Sequence, residues 1–159
     1  MPSQVLSEQS LGVQAFAALL RGHALATRQL NVQLVADHGL TISDFEVLLR
    51  LLRAPERRLR RVDLAEQVLL TASGITRLLD GLETRGLVAR ESCATDRRVV
   101  YAALTDSGVA KVEEAIKTHF AQIEELFAKR FRDNELIAVT GLLGRLGEAT
   151  PRAEPERAA

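Results

Sequence analysis

The fold class expected from the sequence is mainly α with one small β-hairpin (α+β), and three observations carry it. Between Val62 and Thr105, two short amphipathic segments lead into two β-rich runs joined by an arginine-bearing loop. On either side lie long segments whose apolar residues recur every three or four positions, the period of a helix. Aromatic residues are only 4% of a chain that is 47% hydrophobic, so Leu, Val, Ile and Ala must fill its core. That hydrophobic share excludes a disordered chain. A length of 159 residues allows one domain with a real core, or a small domain plus a dimerising arm.

Residues 7–37 read as the first helix. Phe16, Leu20, His23, Thr27, Leu30 and Leu34 share a stripe, with Leu11 and Leu19 beside it, and Gly39 is suited to end it. No charged residue stands between Glu8 and Arg21, so this segment needs an apolar partner such as another subunit. His23, on the apolar face, fits a hydrogen-bonded core histidine. Ser43 and Glu46 form a capping box for the next helix, which buries Phe45, Leu48, Leu49 and Leu52 and is stopped by Pro55. The tract Arg57-Arg58-Leu59-Arg60-Arg61 suits a short strand beside the hairpin.

A helix, a turn and a second helix follow. Thr71 can cap the second helix, whose Ile75, Leu78, Leu79 and Leu82 form its buried stripe. Ser73, Thr76, Arg77 and Asp80 then point away from the core. Small hydroxyls and one arginine near a helix N-terminus suit entry into a DNA major groove. Gly86 ends that helix, and Leu87-Val88-Ala89 pairs with the run from Val99 to Leu104. Adjacent arginines, Arg97 and Arg98, mark the loop between them as exposed and able to reach a minor groove. Thr105 caps a helix to about Phe131 with Val109, Val112, Ile116, Phe120, Ile123 and Phe127 on one face. Asp133 caps a last helix bearing Leu136, Val139, Leu142, Leu143 and Leu146, and residues 150–159 form a disordered tail.

The ordered set of motifs resembles the winged helix-turn-helix of the MarR (multiple antibiotic resistance regulator) family. It rests on Leu64-Ala65-Glu66, Ser73, Thr76-Arg77-Leu78, Asp80, Leu82-Glu83, Gly86-Leu87-Val88 with Arg90, Asp96-Arg97-Arg98, and Leu104-Thr105-Asp106-Ser107-Gly108. Gly74 and Gly81 depart from the pattern, at positions where better helix formers are usual. The resemblance implies a dimerisation helix in 1–38, the winged helix-turn-helix in 40–105 and C-terminal dimerisation helices in 106–149. It further implies a homodimer on a pseudo-palindromic operator in double-stranded DNA, usually as a repressor. Ser73, Thr76 and Arg77 would meet bases and nearby phosphates. Arg97 or Arg98 would enter the minor groove, and Asp96 would brace the wing. Thr76 and Arg90 match positions that can line a cleft for a small aromatic or phenolic acid. An ion pair at the wing's base is the preferred alternative for Arg90.

Charge distribution agrees with a DNA partner. The net charge is zero, yet the stretch from Arg50 to Arg98 holds eleven arginines and seven carboxylates, a surplus of four. Local fields govern docking because salt screens within about 8 Å. The tract 57–61 would add phosphate contacts that orient without reading sequence. No nucleophile–base arrangement, glycine-rich phosphate loop or metal-ligand spacing is present, so neither an enzyme nor a cofactor is expected. His38 and His119 form no spacing motif with Cys93. Two alternatives stay open: a redox-responsive regulator acting through Cys93 in the arginine-rich loop, and a protein-interaction module whose basic face holds an acidic partner. One cysteine, no apolar run long enough to span a bilayer and no export signal in MPSQVLSEQS suggest the cytoplasm.

Overall fold

The computed structural model describes residues 10–68, 71–92 and 99–147. Its elements run α1 (Leu11–His38), α2 (Ile42–Arg53), β1 (Arg58–Arg60), α3 (Arg61–Gln67), α4 (Ala72–Thr84), β2 (Val88–Ser92), β3 (Val100–Leu104), α5 (Asp106–Ala128) and α6 (Asp133–Gly144). The mainly helical fold with a small antiparallel sheet is as expected, and the sheet has three strands in the order β1-β3-β2. The loop residues Cys93, Asp96, Arg97 and Arg98 and the tail 150–159 lie outside the described residues. The chain divides into two compact units, residues 1–122 and 123–159.

In the first unit, α1 starts where the Ser10 hydroxyl accepts from Val13 N–H and ends at Gly39, whose φ of 64° is the left-handed conformation glycine adopts freely. The chain turns at once into α2, two residues earlier than the expected cap. Thr41, not Ser43, is the N-cap: its Oγ1 accepts from Asp44 N–H (3.1 Å), and Asp44 Oδ2 accepts from Thr41 N–H (3.0 Å). The reciprocal three-residue spacing of a capping box is kept, shifted by two residues because Gly39 stops α1 so close by. Asn31 Oδ1 also accepts from Ile42 N–H at 3.0 Å, fastening the corner to α1.

Leu34, Leu40, Phe45, Val47, Leu48 and Leu51 form the centre of the core. Leu64 and Ala65 from α3, and Ile75, Leu79 and Leu82 from α4, close over them, with Val88, Ala102, Val112 and Ala115 completing the layer. The arginine tract does form an edge strand, with Arg58 opposite Ala103 and Arg60 opposite Tyr101. Strand β2 reaches Ser92, beyond the expected Ala89, because Glu91 and Ser92 pair with Tyr101 and Val100 rather than relying on their own β-propensity. Gly108 allows α5 to begin against the backbone: a Cβ there would stand 2.1 Å from Leu87 O. Thr105 caps this start, its Oγ1 accepting from Gly108 N–H (3.0 Å) and donating to Gly86 O (2.7 Å).

The first two-thirds of α1 differs from a core helix. Leu11 is 83% and Phe16 60% exposed, while Leu30 and Leu34 are buried. His23 is exposed within this chain, whose described residues cover only the C-terminal end of that apolar face. In the second unit, α5 stops at Ala128 rather than Phe131, and the Phe127 and Phe131 rings lie 5.9 Å apart. Asp133 is the first helical residue of α6, not its cap. Glu135 turns back to accept from Arg132 N–H and guanidinium, each at 2.8 Å. Ile137 and Leu142 on α6 are largely exposed, as is Leu146, which lies not on that helix but in the 3-10 turn Arg145–Gly147 after it.

Two glycines give opposite expectations. A Cβ at Gly81, on the exposed side of α4, meets nothing within 4 Å, so Gly81→Ala should raise the unfolding free energy by about 0.5–1 kcal/mol. Gly108→Ala should lower it by about 1–3 kcal/mol, since backbone must move to admit the methyl group. Denaturant titrations followed by helical circular dichroism test both.

Candidate nucleic-acid interface

The outward face of α4 begins with its cap. Thr71 Oγ1 accepts from Gly74 N–H (3.1 Å), which removes one of the unpaired donors of the first turn. With Ile75, Leu79 and Leu82 held in the core, helical geometry leaves Ser73, Arg77 and Asp80 exposed and Thr76 half-buried. The four residues therefore share the side expected of them. Ser73 Oγ lies 3.2 Å from Thr71 Oγ1. Arg61, the first residue of α3, donates from Nη1 to Thr76 Oγ1 at 3.4 Å, linking the two helices of the pair on the solvent side.

Arg77 has no carboxylate partner among the described residues. Its neighbours down the helix are acidic, but their charge is already answered. Arg90, from β2, donates from Nε to Glu83 Oε2 (2.9 Å) and from Nη2 to Asp80 Oδ1. All three side chains are about half exposed, so the network adds little stability. Its effect is geometric and electrostatic: it fixes the base of the hairpin on α4, and it neutralises the two acids beside Arg77. The ion-pair alternative for Arg90 is the arrangement seen, and Thr76 is engaged separately by Arg61.

At the far end of α4, Arg85 reaches the corner between α1 and α2. Its Nη2 donates to Gly39 O (2.9 Å), and its Nη1 lies 3.4 Å from Asp44 Oδ2. Nothing in the local pattern around Gly86 announced this link, because its acceptors stand more than forty positions away. The edge strand divides its arginines. Arg58 is held by Glu91 (3.3 Å) and Glu56, and its guanidinium lies 5.3 Å from the Tyr101 ring centre. Hydrogen bonds to those carboxylates, Glu91 foremost, raise its pKa. Arg60 makes two bonds to Asp63, at 2.7 and 2.8 Å, which raise its pKa likewise. Arg57 and Arg61 have no carboxylate partner among the described residues.

The arrangement is thus a helix N-terminal half bearing hydroxyls and one unneutralised arginine, with its acids covered and more arginines at its flank. This surface suits phosphates and base edges. The expected wing contacts from Arg97 and Arg98, the bracing by Asp96 and the redox role of Cys93 all fall outside the described residues.

Comparison with known proteins places this geometry. A sequence model of the MarR family matches residues 38–99. The HTH-type transcriptional regulator MhqR of Bacillus subtilis is 29% identical over 142 residues, covering 89% of this chain and 94% of that protein. The HTH-type transcriptional repressor YetL of the same organism is 34% identical over 113 residues, 71% of this chain and 67% of that protein. Among solved structures, AbsC, a MarR family transcriptional regulator from Streptomyces coelicolor, superposes with a TM-score of 0.78 at 27% identity over 87% of this chain and 94% of that one. Sco3205 from the same organism, a MarR family regulator solved in complex with DNA, shares the fold with a TM-score of 0.80 at 24% identity, over 94% and 96%. These relatives are regulators, not enzymes.

One consequence is local. Thr71→Ala removes the cap of α4 and should lower the unfolding free energy by about 1 kcal/mol. Circular dichroism in urea measures it, and a change within error would remove the cap from this account.

Proposed function

Because the chain belongs to the MarR family of DNA-binding transcriptional regulators, we propose that it acts as a homodimer that represses transcription from a pseudo-palindromic operator and is released by a small anionic aromatic ligand. The observation that carries the DNA-reading part is Arg77, exposed and without a carboxylate partner among the described residues, on the same face of α4 as Ser73 and Thr76. Ser73, Thr76 and Arg77 enter the major groove. Arg97 or Arg98 enters the adjacent minor groove, with Asp96 bracing that loop.

Dimerisation follows from what this chain leaves bare. Leu11, Phe16 and Leu20 on α1, and Ile137 and Leu142 on α6 with Leu146 just after it, are largely exposed apolar side chains. Apolar surface on this scale marks an interaction site. Two subunits joined through these helices would set their α4 helices one turn of DNA apart, about 34–36 Å. The likeness to the transcriptional repressor YetL supports the repressor part of the proposal.

Ligand release is assigned to the junction of α4 and the hairpin. A carboxylate arriving near Thr76 and Arg90 exchanges with those of Asp80 and Glu83, which frees the hairpin base from α4. A ligand that binds this freed state better shifts the population away from the DNA-competent one. Phenolic acids are the probes: operator release by one of them, lost in Arg90→Lys, supports the assignment, and no release by any of them removes it.

For DNA binding, Arg77→Ala and Arg98→Ala should each weaken operator affinity by about 1–3 kcal/mol. Affinity should fall steeply with added salt as condensed counterions are released. Gel retardation with the DNA upstream of the protein's own gene tests both. Wild-type affinity in both variants, or capture of an acidic protein with no DNA retarded, would favour the interaction-module alternative.

A further inference from the structure

Two histidines that the interface does not use are buried where α1, α2 and α5 meet in the first unit. His38, the last residue of α1, is 7% exposed, and His119 of α5 is 4% exposed. The His119 ring stands edge-on to Phe45 of α2, 4.7 Å between centroids. His38 Nε2 lies 2.5 Å from Thr118 Oγ1, and that hydroxyl donates onward to Ala115 O (3.3 Å). When Thr118 gives its hydrogen to Ala115 O, it accepts from His38 Nε2, and Nδ1 is then the unprotonated nitrogen. The Nδ1 atoms of both histidines are enclosed without a partner.

Among the described residues, no carboxylate bonds to either ring. Asp37 of α1 takes the Gln122 amide (2.7 Å). On α2, Asp44 is shared by Thr41 and Arg85, and Glu46 pairs with Arg50 at 3.5 Å. On α5 itself, Glu114 faces Lys111, and Lys117 is exposed. Burial first, and the neighbouring His38 second, pull the His119 pKa below the ordinary histidine value. The buried acceptors that stand unpaired, Gln33 Oε1 and Gln122 Oε1, are not hydrogen-bonded to either ring. A proton added at either Nδ1 is thus enclosed without an acceptor, which costs free energy in this packing and favours an arrangement in which the corner opens.

We propose that His38 and His119 form an acid-sensitive latch, whose protonation displaces the α1–α2 corner and so releases DNA from α4. The inference rests on the DNA-binding reading above. The transmission is short: His38 adjoins Gly39, whose carbonyl is held by Arg85 at the end of α4, and the same guanidinium holds Asp44 at the start of α2. The sign is diagnostic. Added positive charge by itself strengthens DNA binding, whereas the latch weakens it. Stability moves the same way. With the folded pKa of His119 lowered, the unfolded chain takes up the proton first as pH falls through the ordinary histidine value, so stability declines on acidification.

The test uses the full chain, a labelled duplex carrying the DNA upstream of its own gene, and constant ionic strength. Between about pH 7.5 and 5.5, the window in which histidine changes charge, wild-type affinity should fall roughly fivefold or more. His119→Gln and His119→Phe should each lose less than about half of that response. A wild-type affinity that holds or rises in acid, or variants that lose as much as wild type, overturns the latch. If the duplex is not retained even at the higher pH, the operator reading fails separately, and nuclear magnetic resonance judges the latch without DNA. Backbone amide shifts of Gly39 and Arg85 that track the His119 titration support it, and amides that ignore that titration overturn it.

Discussion

Everything in the DNA-binding lobe is positioned from the buried stripe of α2. Phe45, Val47, Leu48 and Leu51 are sealed from solvent, and α1, α4, β1 and β3 all pack on this one helix. Apolar burial is strong but has no direction, so a core of Leu and Val alone would leave α4 free to roll. Direction comes from polar ties at its rim. Asn31 and the Thr41–Asp44 box fix where α2 begins, and Arg85 ties the end of α4 to the same corner. The helix is held by grease on one face and by a few placed hydrogen bonds at its ends, which leaves its other face free for a partner.

That free face also depends on where acids are cancelled. A basic surplus spread over the segment would be of little use if Asp80 and Glu83 met the phosphates directly. Arg90 answers both from the neighbouring strand, while Arg58 and Arg60 are absorbed by carboxylates at the sheet edge. Several arginines, Arg58, Arg60, Arg85 and Arg90, are thus tied within the fold, while Arg77 on α4, without a carboxylate partner among the described residues, stands among hydroxyls. The local field beside the helix N-terminus is set by this partition more than by the total count.

How far the sequence could be read depended on whether the cause was local. The stripe of α4, its Thr71 cap, and the glycine stops at Gly39 and Gly86 are decided within one or two turns, and all were legible. The start of α2 was not, since Thr41–Asp44 and Ser43–Glu46 satisfy the same spacing and only the abrupt end of α1 chooses between them. Periodicity identifies the apolar face of α1 but not which part the chain itself covers, so it singles out His23, whereas the burial of His38 and His119 has no spacing signal in the sequence. Strand β2 ran longer than its own residues favour because its partner carries the pairing. Ties such as Arg85 to Gly39 join positions that no motif connects.

One further feature has a practical side. The chain has a single tyrosine and no tryptophan, and that tyrosine is Tyr101, on β3 opposite Arg60 and beneath the Arg58 guanidinium. Native ultraviolet emission in the phenol band therefore comes from one ring at the sheet edge, undisturbed by indole. A cation resting on that ring makes its brightness sensitive to β1 lifting away, so the protein carries its own label-free optical gauge of the strand from which the hairpin hangs.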